Sequence, residues 1–472
     1  MPSMNRFFST RRRRAGGVLI AAAALALAAC GGTDSLLQAV DPDIINPTDV
    51  NSVDGADALR VGALVRLTAI TATPTTLSNE GAWFWGGLMT DEWKSGDTFA
   101  QRDETDKRST LVDNSLISNA YRNLHRARIA ADLAIVALKK YKPSPAWGIG
   151  QMYYVRGYAE MQSAENWCNG QPFSDGSSGD IVEGKPLTVA EAFQRAIASA
   201  DLGLAAVGSA TDASSVRIIN SLKLVKARSL MGLGGAANYT AAAALMAGIP
   251  TSFTYDVTFA QVSGSNGIWA LNNSTKRYVV GDSIDANGLV KNAAPFVSAR
   301  DPRVPTSGTG RAFDSSTPFA QQLIWASAGA VPGQEDPVAV VNGIDARLIE
   351  AEVQLFNGDV AGWLTTLNTM RAGPTQLSQG VRITAMPALV DPGTPASRLS
   401  LQFREKGFWT FARGERLGDF RRLIRQYGRT QDQVFPTGVF PKGGTYGTDV
   451  NLQVPQAEQN NTQFTACTDR NA

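Results

Sequence analysis

A mainly α fold is predicted, with tetratricopeptide-like helix hairpins stacked side by side and a loop-rich insertion containing short strands. Three observations predict it. Apolar residues recur at helical spacing from about residue 54 to about 247. Helical periodicity returns after 343. Between 250 and 342 Gly, Ser, Thr, Asn and Pro dominate, and the periodicity is lost.

The first element is a targeting segment. Arg6 and Arg11–Arg14 precede an apolar run from Ala15 to Ala29, too short to span a bilayer as a helix. Leu27-Ala28-Ala29-Cys30 closes the run and resembles the bacterial lipoprotein box, which predicts a signal peptide over 1–29 and lipidation of Cys30. An ordinary signal peptide with an incidental Cys30 is the alternative. Residues 30–48 read as the lipidated cysteine and a tether. Five of the 44 basic residues and none of the 42 acidic ones lie in 1–29, so the mature chain carries a net charge of −3. That balance argues against nucleic acid as a partner.

The helical scaffold's N-terminal part is expected over 49–249. Thr188 with Glu191 forms a capping box, and Phe193, Ile197, Ala200 and Leu204 share the face that follows. Ile218, Leu222 and Val225 mark the next helix, which stops at the Gly232–Gly235 cluster. Tyr154, Tyr158 and Met161 form another stripe, with Gly157 beside it for close helix approach. The insertion, 250–342, holds strand-like pieces such as Arg277–Val280. In 343–472, Leu348, Ala351 and Leu355 face Trp363, Leu367 and Met370 across a turn at Gly358-Asp359. The repeat consensus itself is absent, but such hairpins bury their stripes only by stacking. The loop-rich tail begins near 428.

Chemistry-bearing residues are few. His125 is the only histidine, which argues against His-based metal sites, triads and dyads. It is read as a packing or surface residue of a helix. Cys168 and Cys467 lie in polar, turn-rich stretches of an exported chain and are expected to pair, two isolated thiols being the alternative. Asp282-Ser-Ile-Asp285-Ala-Asn287-Gly288 is oxygen-rich but lacks the glutamate of a calcium loop, and reads as a turn. No phosphate-cradling loop or nucleophile elbow occurs.

Residues 401–423 crowd both charge signs among aromatics. Glu405 and Glu415 could form an acid/base pair. The favoured reading is a structural network of Glu405, Arg413, Glu415, Arg416, Asp419, Arg421 and Arg422, in which guanidinium forks hold carboxylates and helix-end carbonyls. The charged run Arg102–Arg108 reads as a solvated face. Gly86-Gly87 should break any helix near Trp83, Trp85 and Trp93.

Several stretches together resemble the SusD/RagB family of surface glycan-binding lipoproteins. They are the lipobox with its tether and Asp41-Pro42-Asp43, Tyr121–Ala127, Gln151–Met161, Arg347–Asp359, Leu367–Gly373, Leu401–Leu423 and Val454–Glu458. The last departs from the family's ending, with Val454 in place of its first Pro-Ile. The resemblance implies a SusD-like fold, no enzymatic activity and no cofactor. It also implies a lipid anchor at the outer membrane and a SusC-like TonB-dependent transporter as partner, to which an oligosaccharide or other nutrient is delivered. It directs attention to aromatics as ligand contacts: Trp83, Trp85, Trp93, Trp269, Tyr278 and Trp325; any single one is expected to be core, as Trp usually is, but at least two of the six are expected to be exposed on one surface. The rival reading is a lipid-anchored helical-repeat scaffold that binds an envelope protein.

Overall fold

The computed structural model describes residues 51–76, 80–177, 182–285, 288–326 and 333–472. The signal peptide, Cys30 and the tether lie outside the described residues.

Helix α1 (Val53–Ile70) is capped by Ser52, whose side chain accepts from Gly55 N–H. Two short helices follow, α2 (Ala82–Met89) and α3 (Ala100–Asp106), then α4 (Ser115–Tyr141) and α5 (Trp147–Asn166). Every α5 residue except Trp147 and Arg156 is buried, so α5 is the axis of the helical body. It lies against α4, α6 (Val189–Val207) and α7 (Ala213–Leu233). Small residues set the spacing. A Cβ on Gly157 would meet the Ala196 carbonyl and Ser199 Cβ at 3.2 Å, and one on Gly203 would meet Leu222 at 2.6 Å. The Thr188/Glu191 capping box starts α6 as the sequence predicts.

After α8 (Ala236–Met246) the chain leaves the helical body for loops and two-stranded ribbons. Trp93–Ser95 pairs antiparallel with Tyr278–Val280, which ties the insertion to the α2 region. Strand Val338–Asn342 pairs with Thr254–Val257 and leads into α9 (Gly343–Phe356) through an Asn342/Asp345 capping box. Helix α10 (Val360–Arg371) starts at the Asp359 N-cap and returns along α9. Helices α11 (Pro395–Trp409), α12 (Arg416–Tyr427) and α13 (Gln431–Val434) close the order. Cys168, just beyond α5, is joined to Cys467 in a disulfide with Cα atoms 6.0 Å apart. Among the described residues no helix is long and apolar enough to cross a membrane.

The expected helix break at Gly86-Gly87 does not occur, because both glycines lie inside α2. They are packing sites. A Cβ on Gly86 would come within 2.6 Å of Asn166 Oδ1, and one on Gly87 within 2.6 Å of the Trp93 ring. In the stretch expected to be a turn at 282–288, Ile284-Asp285 forms a short ribbon against Gly288-Leu289.

Candidate functional site

The six aromatics singled out from sequence are not an exposed set. Trp83, Trp85, Trp93, Tyr278 and Trp325 are all at most 1% exposed, which corrects the expectation that two or more share an open surface. Trp269 alone is half-buried, and its ring lies so close to Gly333 that a Cβ there would approach it to 2.8 Å. The reason is area: a Trp ring removes more apolar surface from water than any other side chain, so the core recruits it. Trp83 donates its indole N–H to the Tyr158 hydroxyl at 2.9 Å. Phe84, Trp93 and Tyr278 meet edge-on, with ring centroids 5.2 Å and 6.3 Å from Tyr278.

That aromatic cluster is a floor, and different residues stand on it. Phe99 and Phe313 are 47% and 46% exposed. The Arg277 guanidinium lies between them, 3.8 Å from the Phe313 centroid and 5.3 Å from that of Phe99. Arg102 continues the stack downward, 5.2 Å from Phe99 and 5.6 Å from Tyr278. The backbone fixes this arrangement. Gly96 N–H donates to Arg277 O at 2.9 Å, and Asp314 N–H donates to Gly96 O at 2.8 Å, so three chain segments meet at one residue. Only glycine fits there, since a Cβ would sit 2.5 Å from Ala312 Cβ.

Charges hold the stack from below. Arg102 pairs with Glu80 and Asp97, and Asp97 also accepts from Arg277 at 2.7 Å. Burial alone would lower the Arg102 pKa, but Tyr278, Glu80 and Asp97 outweigh it, so it stays cationic. Two recesses flank the exposed rings. One, of about 260 Å³, is lined by Thr73, Thr75, Glu80, Phe99, Arg102 and Arg277 among others. The other, of about 340 Å³, is lined by Asp97, Asp103, Asp314, Thr317 and Lys442 among others. In it Lys442 bridges Asp103 at 2.7 Å and Asp314 at 3.0 Å. Flat ring faces beside convergent polar groups suit a ligand with apolar faces and polar edges.

The sequence pattern passed over Phe99 and Phe313. The available signal was single aromatics among Gly, Asp, Ser and Thr (GDTFAQ and GRAFDSS), where no helical stripe exists to bury them. The Arg102–Arg108 run is also corrected. Arg102, Asp106 and Arg108 are 5%, 3% and 1% exposed. Arg108 donates to the Pro436 and Asp449 carbonyls and stacks on Phe435, anchoring the tail.

The 401–423 segment forms buried ion pairs. Glu405 accepts from both Arg303 and Arg371. Arg413 grips Asp345 with two bonds of 2.9 Å and 2.8 Å. Lys406 meets Asp419 at 2.8 Å, and Arg422 pairs with Glu352 and Asp419. For Glu415 burial favours the neutral form, but Arg228, Lys406 and Arg413 overcome it and hold the pKa below the usual value. Asp419 goes the other way, burial winning over Lys406 and Arg422. Glu405 and Glu415 are both almost wholly buried and occupied by cations, an arrangement unsuited to an acid/base pair facing substrate. His125 lies between the Tyr121 and Phe173 rings, and burial pushes its pKa down. Among the described residues no cluster of His, Cys, Asp and Glu could hold a metal ion.

No family model and no curated protein matches the sequence. Solved structures do match it. A SusD superfamily protein from Parabacteroides distasonis aligns over 88% of this chain and 98% of its own, with 12% identity and a TM-score of 0.63. The chain has the SusD-like fold. A SusD-like protein from Bacteroides fragilis matches over 90% of this chain and 99% of its own, at 11% identity and a TM-score of 0.61. A SusD-like carbohydrate-binding protein from Bacteroides vulgatus matches over 78% and 83%, at 11% identity and a TM-score of 0.54. In this SusD-like chain the Phe99–Arg277–Phe313 stack is built where loops leave the helical body.

Proposed function

We propose that the protein binds carbohydrate, without enzymatic action, on the face formed by Phe99, Arg277 and Phe313. The observation that supports this most is the pair of half-exposed rings held around one guanidinium over a rigid aromatic floor. A pyranose ring stacks its C–H face on such rings while Thr75, Arg277, Asp103 and Asp314 meet its hydroxyls. The carbohydrate-binding description of the Bacteroides vulgatus structure agrees with this reading. In full, the mature chain is anchored by lipid at Cys30 to the outer membrane and passes an oligosaccharide to a SusC-like TonB-dependent transporter. Residues 49–249 and 343–472 act as scaffold and tail, and the insertion 250–342 completes the binding face by placing Arg277, Phe313 and Asp314 against Thr75, Phe99 and Asp103 of the scaffold.

The test is calorimetric titration of the mature protein with a panel of oligosaccharides. Removing both rings takes away the apolar surface on which the sugar face would be buried, so Phe99→Ala with Phe313→Ala should weaken binding by roughly tenfold. A panel with no binder, or a double variant that binds equally well, refutes the site. Pull-down from detergent-solubilised outer membrane tests the transporter, and recovery of no large barrel protein removes that part of the reading.

A further inference from the structure

A third recess, sharing no residue with the two beside the Phe99 face, lies where α11, α12 and α13 meet. Its volume is about 250 Å³, and among the described residues its lining includes Arg404, Arg416 and Arg429 but no carboxylate. The rest is mainly apolar, with Phe403, Phe420 and Val434 as walls. Arg416 is 7% exposed and is fixed in place, its Nε donating to Thr90 O at 3.1 Å and its plane stacked 4.5 Å from the Phe420 centroid. Among the described residues its two terminal nitrogens have no hydrogen-bond or ion-pair partner.

Of the other buried arginines of this region, Arg303 is matched by Glu405, Arg413 by Asp345 and Arg422 by Glu352, while Arg421 is spent on the Ala164 and Glu165 carbonyls and lines none of the three recesses. Near Arg416 the acids are Glu92, Asp91 and Asp419. Asp419 is committed to Lys406 at 2.8 Å. Burial pushes Glu92 up to about 8 and Asp91 up to about 7, so neither supplies a full negative charge at neutral pH. A largely buried cation that meets only the water in the recess and no full counter-charge offers a favourable seat to an anion.

We propose that this pocket binds a small monocarboxylate carried on an apolar body, the carboxylate on the arginines and the body against Phe403, Phe420 and Val434. The ring walls select against a strongly hydrated dianion such as inorganic phosphate, which would lose most of its hydration there. Guanidinium forks suit the planar carboxylate. A free acid and the terminal carboxylate of a peptide ending in an apolar residue share this chemistry.

The experiment titrates the mature protein with 3-phenylpropionate, its neutral analogue 3-phenylpropanol, and acetyl-Ala-Phe, read by ligand-observed NMR. The acid should bind at least about tenfold more tightly than the alcohol, the range for charge-assisted pairing. Arg404→Ala with Arg429→Ala should weaken the acid by about tenfold and leave the alcohol unchanged. Both arginines reach solvent, so the fold survives. Leu399→Trp, which fills the pocket and replaces no arginine, should abolish binding of both. Tighter binding of acetyl-Ala-Phe assigns a peptide terminus, and weaker binding a free acid. Equal affinity for acid and alcohol, no acid binding to the unaltered protein, or an acid affinity indifferent to both arginines overturns the proposal. Glycan affinity in the same variants should not move, so failure here is separable from failure of the carbohydrate site.

Discussion

Replacing Glu92 by Gln should stabilise the protein progressively as pH rises. Glu92 follows α2, is wholly buried, and neither of its carboxylate oxygens has a hydrogen-bond partner. The Ala412 amide and Arg416 favour the charged form, yet the amide does not reach hydrogen-bond geometry and burial dominates, raising the pKa from 4.5 to about 8. The folded state therefore holds a proton that the unfolded chain has released. Stability from this group is complete below 4.5 and falls as pH rises towards about 8. Between about pH 5.5 and about pH 9 the linkage integrates to a loss of ~3 kcal/mol. Glutamine has nearly the same shape and no charge, so the loss should vanish in the variant. The assay is urea denaturation of both proteins, disulfide intact, across that range. Asp91 and Glu165 are also raised, each to about 7, but they remain in both proteins and cancel in the difference. A stability difference that is constant with pH would refute the reasoning, because it would mean Glu92 is already ionised in the fold.

Three further outcomes follow from the geometry. Arg413→Ala leaves Asp345 buried with its fork removed and should cost ~3–5 kcal/mol in urea unfolding, whereas Arg413→Ala with Asp345→Asn should recover part of that. Breaking the bond with Cys168→Ser opens a loop spanning a sequence separation of 299, and the chain-entropy account assigns it about 6 kcal/mol; earlier proteolysis of the tail near Cys467 would report it. Gly414→Ala places a Cβ 2.0 Å from the Trp83 ring at a φ of +68°, and a marked fall in melting temperature is expected without loss of secondary structure at low temperature.

Much of the helical body was legible because its signals are local. Thr188 with Glu191, and Asp359 before Val360, announce helix starts through side chains that answer backbone N–H groups three residues on. Burial is the ordinary expectation for any single Trp, but that Trp83, Trp85 and Trp93 would all be buried together was not legible, because a Trp beside glycines also reads as a loop contact. What decides it is α5 and the Tyr278 strand arriving from about 75 and about 185 residues away. The same holds for Gly86-Gly87, whose purpose depends on Asn166 and Trp93. The Arg102–Arg108 run misleads for a related reason: its counter-charges, Glu80, Asp97 and Asp449, are spread through the chain. Phe99 and Phe313 stand out only once the ribbon at Gly96 brings them to either side of Arg277.

The arginines of α12 explain how one helix holds the body together. Arg416 donates to Thr90 at the C-terminus of α2. Arg421 donates to Ala164 and Glu165 in the last turn of α5, 2.8 Å to each. Arg422 reaches Met231 in the last turn of α7, with Gln426 on Met231 and Gly232. Each helix end carries carbonyls without intrahelical partners and a partial negative charge, so a guanidinium there answers both hydrogen bonding and field. Hydrogen bonds of this kind add a modest net stability each, but leaving a buried partner unsatisfied is costly. Their effect is therefore on register: three helices can end only where α12 can reach them. Helix α2 leads directly into the Trp93–Ser95 strand beneath Phe99, and α5 leads into Cys168 and the bonded tail. The charges at 416–422 thus fix, through helix ends, the position of the floor on which the proposed carbohydrate face stands.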